Sequence, residues 1–381
     1  MSWIVPLTDV QITEEDIAAY LAVLEQGWLT MGPRTREFEL AFAERFGKRH
    51  AVAVSSGTAA LHLALLAAGI GEGDEVLVPA MTFVAGAAAV RYCGGGPVLI
   101  EPCGPGDLNL DPEDAARHIG PRTRAILATH WLGYACDLAA LEALCREHGL
   151  ILIEDCAQSI AARAADGRYT GTVGVAACFS FFSKKQLAVG EGGMILTSDD
   201  AIEAKARSLR SHAMTSVTWD RHRGHAESYD VVDVGFNFRI DEPRAALGLS
   251  RMKRLDADIA RRRELVRSYR DRLADVPGVS LPWSAGDVER SSHFGFAILL
   301  ETESVRDAVA AELADRGVQT THYPSITALS AYQDHPPRPR SEELAGRHLV
   351  LPLSSTYTDR EVDLVVGSLT EILAAGVAPT G

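Results

Sequence analysis

Short apolar runs alternate with amphipathic segments through the first two-thirds of the chain. Several runs are nearly continuous in Val, Ile and Leu, which is typical of strands buried on both faces of a sheet. Helical patterns fall between them, and this alternation predicts an α/β domain with a mostly parallel, seven-stranded central sheet. The predicted strands are residues 51–54, 75–80, 97–102, 125–130, 150–155, 177–182 and 194–198. The predicted helices between them are residues 58–68, 83–92, 138–148 and 201–208.

The pattern changes on either side of this region. At the N-terminus, Thr13 as an N-cap, Asp16 three residues later and Gly27 as a stop predict a helix. A long helix is predicted over residues 243–276, with its run of arginines on a solvated face. Beyond it, a shorter set of strands and helices follows. We therefore expect a large α/β domain at residues 1–250 and a smaller α+β domain at residues 251–381.

Composition narrows the class of partner. The chain has 381 residues and a formal net charge of −14, which argues against nucleic acid and anionic membranes as partners. The most apolar stretch is too short to span a bilayer, and no signal peptide opens the chain. The six cysteines form no CxxC pair and no zinc-type spacing. We therefore expect a cytoplasmic protein with reduced thiols and no metal.

Two groups of polar residues follow predicted strands, where open α/β sheets place their ligands. Gly57 and Thr58 lie between a strand and an apolar helix, and the free N–H groups of such a turn suit a phosphate. The alternative is a simple helix cap at this turn. Asp155, with Gln158 three residues later, also leaves a strand. This carboxylate is a candidate metal ligand, catalytic acid or cofactor orienter, or again only a cap.

Two further groups complete the set. Lys185 follows the apolar strand that ends near Ser180, and a lysine in buried surroundings has a lowered pKa that favours Schiff-base chemistry. The alternative is an ordinary surface lysine. Asn237 and Arg239 lie among aromatic residues ahead of the long helix. A phosphate site, a strand-end carboxylate and a buried lysine, in this order, favour pyridoxal 5'-phosphate (PLP) as a cofactor.

As a set, these motifs resemble the DegT/DnrJ/StrS family of nucleotide-sugar aminotransferases, which are fold type I PLP enzymes. The resemblance covers nearly the whole chain, through residues 27–33, 56–61, 154–158, 180–193 and 235–248. It implies that Lys185 forms the Schiff base with PLP and that Asp155 pairs with the pyridine nitrogen. It also implies that Asn237 reaches the phosphate of a neighbouring subunit, and hence a homodimer with shared active sites. The cofactor-binding residues that it implies are Gly57, Thr58, Ala59, Phe83, Asp155, Gln158, Ser180, Lys185 and Asn237.

The resemblance also implies a reaction. The expected amino donor is L-glutamate and the expected acceptor is a nucleotide-linked keto-sugar, aminated more readily at C-4 because of the ending at residues 191–194. Departures at Phe182 and Gln186 affect substrate details. Two alternatives stay open, namely an amino-cyclitol or aromatic-precursor enzyme of the same family and a non-catalytic PLP-binding regulator. The candidate substrate contacts are Thr30, Arg221, Arg223, Arg239, His322 and Tyr323, of which the two in loop 219–229 alternatively belong to a surface loop.

Overall fold

The structure, a computed structural model, describes residues 3–216 and 228–376. The strands are β1 (His50–Val54), β2 (Glu75–Pro79), β3 (Gly96–Ile100), β4 (Pro102–Gly104), β5 (Asp107–Leu110), β6 (Thr123–Thr129), β7 (Ile151–Asp155), β8 (Ala176–Ser180), β9 (Gly193–Thr197), β10 (Phe296–Leu299) and β11 (His348–Leu351). The helices are α1 (Glu14–Gln26), α2 (Pro33–Phe46), α3 (Gly57–Ala67), α4 (Ala85–Tyr92), α5 (Pro112–Arg117), α6 (Leu138–His148), α7 (Asp200–Leu209), α8 (Glu242–Met252), α9 (Leu255–Leu273), α10 (Ala285–Arg290), α11 (Glu303–Asp315), α12 (Pro339–Arg347) and α13 (Asp359–Ala375).

The central sheet has seven strands in the order β1-β9-β8-β7-β6-β2-β3. Strand β9 is antiparallel to both of its neighbours, and the remaining pairs are parallel. This confirms the predicted seven-stranded, mostly parallel sheet. Because β1 runs in the same direction as β8, the turn after β1 and the ends of β2, β6, β7 and β8 all lie at one edge of the sheet.

Alternate residues of the strands feed separate apolar clusters on the two faces of the sheet. Val52 and Val54 of β1 belong to the cluster around α3, whereas Ala51 and Ala53 pack with the aromatic residues of α2. This is the two-residue period of a strand whose faces are both covered. Helix α3 is buried along most of its length, so its N-terminus is held firmly against the carboxyl edge.

The prediction of one long helix is wrong at its centre, because the structure has two helices there, α8 and α9. Arg254, at the break, donates to both carboxylate oxygens of the buried Asp16 at the start of α1, at 2.9 and 2.5 Å. The predicted solvated face is wrong for two of its arginines. Arg251 and Arg262 are buried and donate to backbone carbonyls, the latter to those of His293 and Leu353 at 3.2 Å each.

Most residues of one further apolar cluster come from the C-terminal part of the chain, and Trp131, Leu132 and Tyr134 join it from the sheet region. The antiparallel pair of β10 and β11 packs with α9, α11 and α13. Val5, near the other end of the chain, forms a parallel bridge with Val318 and is buried in the same cluster. The division of the chain at residue 250 stays a prediction. None of the helices in the described residues has both the length and the apolar character needed to cross a membrane.

Helix α1 is capped as the sequence predicts, by a capping box between Thr13 and Asp16 and by Gly27 at a φ of 75°. This helix buries a carboxylate and exposes several apolar side chains, which is the reverse of the usual arrangement in a soluble protein. The carboxylate of Asp16 faces the interior, whereas Ile17, Tyr20, Leu21 and Leu24 are exposed. The chain therefore leaves one apolar helix face uncovered.

Candidate active site

A cavity of about 390 Å³ lies at the carboxyl edge of the sheet, against strand β11, the residues just before β10 and the segment around Tyr323. Its volume falls in the range of small-molecule sites. Eight residues that the sequence singles out line it, namely Gly57, Thr58, Phe83, Asp155, Gln158, Ser180, Lys185 and Tyr323. Seven of them lie at or after the ends of β1, β2, β7 and β8, and Tyr323 lies between α11 and α12, so the fold brings them together.

The N-terminus of α3 forms one wall of the cavity. Ser56 caps the helix by accepting a hydrogen bond from the Ala59 N–H at 3.1 Å. Within the described residues, the N–H groups of Gly57 and Thr58 donate to no protein acceptor, so they are available to an anion at the positive end of the helix. A Cβ atom at position 57 would lie 2.8 Å from the Ser180 Cβ. Glycine therefore permits the close approach of α3 to the end of β8.

Asp155 and Lys185 place opposite charges in the same cavity. Asp155 ends β7, and its carboxylate accepts from the Ala157 N–H at 3.0 Å and from the Thr129 hydroxyl at 3.4 Å. Burial raises the pKa of Asp155, and the charge of Lys185 opposes that change. Burial lowers the pKa of Lys185 to about 8, against the opposing charge of Asp155. A neutral amine is therefore accessible at mildly alkaline pH.

The backbone fixes the orientation of the Gln158 amide. Its Oε1 accepts a hydrogen bond from the Leu132 N–H at 2.7 Å. Only an oxygen can accept there, so the amide NH₂ is left for other partners. The backbone carbonyl of Gln158 in turn accepts from the Gln186 side chain at 2.9 Å. The Gln158 side chain therefore presents its NH₂ group as a donor in a fixed position.

Behind Asp155, the neighbouring Glu154 forms a closed hydrogen-bond network. It accepts from the His130 Nε2 at 3.0 Å and from the N–H groups of Gly171, Val173 and Gly174 at 2.7–2.8 Å. Burial alone would raise its pKa, but these donors hold the pKa of Glu154 below its ordinary value.

His130, Glu154 and Cys156 are also the group of potential metal ligands found in the described residues. Burial raises the pKa of the Cys156 thiol well above its ordinary value. The Glu154 carboxylate already accepts four hydrogen bonds, so His130 and Glu154 form a hydrogen-bonded support for β7.

Aromatic rings surround the mouth of the cavity. Phe83 is exposed there, and Tyr323 is held by donation from its N–H to the His348 Nε2 at 2.9 Å. Burial raises the pKa of Tyr323 to about 12, so its hydroxyl stays protonated at neutral pH. A third ring, Phe294, lies over the Lys185 amine with 4.1 Å between Nζ and the ring centroid.

Other residues that the sequence singles out lie elsewhere in the protomer. Ala59 is buried within α3, Arg239 is half-buried, and Thr30, Asn237 and His322 are exposed; none of the five lines the cavity. Arg221 and Arg223 fall outside the described residues. Sequence reasoning did not propose several residues that do line it, including Thr8, Thr82, Thr129, Lys184, Glu191, Phe294 and Thr321.

The comparison with protein families gives one assignment. The profile of the DegT/DnrJ/EryC1/StrS aminotransferase family matches residues 10–370. The chain therefore belongs to this family, as the motifs indicated, and it is an enzyme of the aminotransferase class. Aminotransferases of this family are PLP-dependent.

Individual relatives cover nearly the whole chain. The spore coat polysaccharide biosynthesis protein SpsC of Bacillus subtilis (strain 168) is 34% identical over 372 residues, 95% of each chain. The dTDP-4-dehydro-2,3,6-trideoxy-D-glucose 4-aminotransferase of Saccharopolyspora spinosa is 36% identical over 357 residues, 92% of each chain. Among solved structures, the aminotransferase TlmJ from Streptoalloteichus hindustanus is 35% identical, with a TM-score of 0.90 over 98% of this chain and 100% of that one. The chain thus shares the fold type I architecture that the sequence predicts.

The cost of burying the Lys185 amine is measurable in the cofactor-free protein. Below pH 8 the folded state must carry a buried ammonium, whereas the unfolded lysine binds its proton up to its ordinary pKa of 10.5. Lys185→Met should therefore raise the free energy of unfolding at pH 7 by about 1–3 kcal/mol. The gain should shrink between pH 8 and 10.5 and vanish above. Urea titrations at several pH values measure it.

Lys184→Met is the matched control for that series, because Lys184 is the neighbouring lysine in the chain and is exposed. Equal or lower stability of Lys185→Met at pH 7 would show that the ammonium is not buried at a cost.

Proposed function

We propose that the protein is a PLP-dependent aminotransferase that moves the amino group of L-glutamate to a nucleotide-linked keto-sugar. One observation carries the proposal. A lysine amine whose pKa is lowered to about 8 shares a cavity with a buried carboxylate and with the N-terminus of an apolar helix. When bound, PLP supplies an electron sink that allows an amino group to pass between two carbon atoms.

Different residues of the cavity would hold different parts of the cofactor. The free N–H groups of Gly57 and Thr58, with the hydroxyls of Thr58 and Ser180, are the donors for the cofactor phosphate at this edge. Asp155 is a buried carboxylate whose ionised form gains from a positive partner, such as a protonated pyridine nitrogen. The free NH₂ of Gln158 suits the ring hydroxyl, and Phe83 supplies an aromatic face at the mouth.

Lys185 is the catalytic acid and base in this account. A general base works best when its pKa lies near the working pH, and a value of about 8 meets that condition. Its neutral amine accepts a proton from the reacting carbon, and the ammonium then returns a proton on the other side of the transfer. Asp155 and Lys185 are therefore the two residues to which we assign catalysis.

The substrate assignment rests on relatives and on position. The S. spinosa relative is named for amination at C-4 of a dTDP-linked dehydro-sugar, and its sequence is 36% identical to this chain. We therefore place the transfer at C-4, in agreement with the residues at 191–194. Tyr323 lines the cavity next to His322 and is the first candidate sugar contact. The other candidates are Thr30, Arg221, Arg223 and Arg239.

We further propose a homodimer with shared active sites. Asn237 is exposed and away from the cavity of its own protomer, while Phe236 and Phe238 on either side of it are stacked at 4.9 Å and pack against His62 of α3. The preceding Val231, Val232 and Val234 are exposed apolar side chains, the last at 85%. A second copy would cover these residues and receive Asn237 in its own cavity. The exposed face of α1 is a second surface for such contacts.

All six cysteines are free, and four of them are buried. This supports the expected reduced, cytoplasmic setting.

The cofactor assignment is tested by covalent capture. PLP added to the protein and fixed with borohydride should modify Lys185, as read by peptide mass mapping. Lys185→Ala should lose the modification and the visible absorbance of the bound cofactor, while Lys184→Ala, the matched control, should keep both. L-Glutamate should then discharge that absorbance with release of 2-oxoglutarate. If PLP is captured on Lys185 but no amino acid discharges its absorbance, the protein binds PLP without catalysing amino transfer.

The shared site is tested by mixing two inactive variants. If Asn237 acts across the interface, a heterodimer of Lys185→Ala and Asn237→Ala contains one fully native site. An equimolar mixture should then recover roughly a quarter of wild-type activity, because half of the dimers are mixed and each has one native site. Heterodimers seen by native mass spectrometry without any recovery would place Asn237 outside the partner's site.

A further inference from the structure

The turn formed by Ser291, Ser292, His293 and Phe294, the 291–294 turn, reaches the cavity just ahead of β10. The geometry points to Phe294 as a positioning residue, whose ring face stabilises the ammonium form of Lys185 and so helps to set the protonation of that amine. This inference rests on the proposed role of Lys185 as a proton carrier. It adds a residue whose ring lies over the lysine amine.

The contact has the geometry of a cation–π pair. The Lys185 Nζ lies 4.1 Å from the Phe294 ring centroid, well inside the distance of about 6 Å at which a ring face attracts a cation. The titratable groups that share the cavity are Asp155 from β7, Lys184 and Glu191 from the segment after β8, and Tyr323. Of these, Asp155 supplies the opposite charge that favours the ammonium. The ring therefore raises the pKa of Lys185, as Asp155 does, whereas burial lowers it.

Hydrogen bonds hold the 291–294 turn against the sheet domain. The Phe294 N–H donates to the Leu132 carbonyl at 2.9 Å, and the Ser292 N–H donates to the Gly133 carbonyl at 3.1 Å. The Gln186 amide, next to Lys185 in the chain, donates to the Ser292 Oγ at 3.1 Å. From the other side, Arg262 of α9 donates to the His293 carbonyl. The position of the ring is therefore fixed from both sides of the junction.

The backbone at this junction is strained. Leu132 and His293 adopt left-handed conformations, with φ of 52° and 50°, although neither is a glycine. Gly133 lies between them, and a Cβ atom there would be 2.7 Å from the His293 N. Such residues persist where the surroundings over-determine them, and they cluster at functional sites. His293 adds no charge to the turn, because burial lowers its pKa to about 3.

Leu132 connects this turn to the rest of the site. Its carbonyl accepts from Phe294, and its N–H donates to the Gln158 Oε1 at 2.7 Å. One strained residue thus positions both the ring over the amine and the amide that we assign to the cofactor. Burial makes the ammonium costly, and the ring offsets part of that cost, which helps Lys185 both to take up and to release a proton.

The test measures the pKa of Lys185 in the cofactor-free protein, by competitive acetylation across pH with peptide mass mapping. Phe294→Leu removes the ring but keeps an apolar side chain, and it should lower that pKa by about 0.5–1.5 pH units. Phe294→Tyr keeps the ring and should restore the wild-type value. Phe182→Leu is the matched control, because this ring lines the same cavity without lying over the amine, and it should leave the pKa of Lys185 unchanged.

Fluorinated phenylalanines at position 294 provide a second series that preserves shape. Successive fluorines weaken the negative ring face, so the pKa of Lys185 should fall stepwise while the unfolding midpoint stays the same. An unchanged pKa in this series, or in a folded Phe294→Leu protein, would overturn the proposal. Neither measurement uses PLP or substrate, so its failure would leave the proposed function intact, and failure of PLP capture would not alter these values.

Discussion

The Lys185 amine shares a cavity with the buried Asp155 carboxylate, and this is the constraint on which the rest of the site depends. Removing two charges from water costs several kcal/mol for each ion unless partners compensate for it. The fold supplies those partners from separate elements: the Ala157 N–H and Thr129 hydroxyl for Asp155, and the carboxylate and the Phe294 ring for Lys185. The Glu154 network then holds β7 in place from behind. As a result, the pKa of Lys185 is about 8, and both its neutral and its protonated forms are populated near that pH.

The sequence predicts the parts of this arrangement that are local. Apolar runs predict strands, and parallel strands bring their carboxyl ends to one edge, so Gly57, Asp155, Ser180 and Lys185 meet there because of the topology alone. The apolar run before Lys185 predicts a lowered pKa for its amine, and burial in the structure lowers that pKa. These conclusions need only periodicity and chain direction.

The remainder depends on contacts between residues distant in sequence. Phe294 carries no motif, and its place over Lys185 arises from the hydrogen bonds between the 291–294 turn and residues 132–133. The break in the predicted long helix likewise lies where Arg254 pairs with Asp16, at the far end of the chain. The charged neighbours of Arg262 in the sequence predict a position on the surface. In the structure its guanidinium donates to backbone carbonyls, and hydrophobic periodicity does not reveal such acceptors. A net charge of −14 was equally uninformative about the local donors at α3.

The central claim is that this site transfers an amino group to a nucleotide-linked keto-sugar, and ¹⁵N-labelled L-glutamate tests it most directly. The protein with PLP, the labelled donor and a dTDP-linked 4-keto-6-deoxy-sugar should give a nucleotide amino-sugar that carries the label, as read by mass spectrometry. The 3-keto isomer, as the matched acceptor, should be converted more slowly. Label that passes to a keto-cyclitol but to no nucleotide sugar, dTDP- or UDP-linked, would contradict the account.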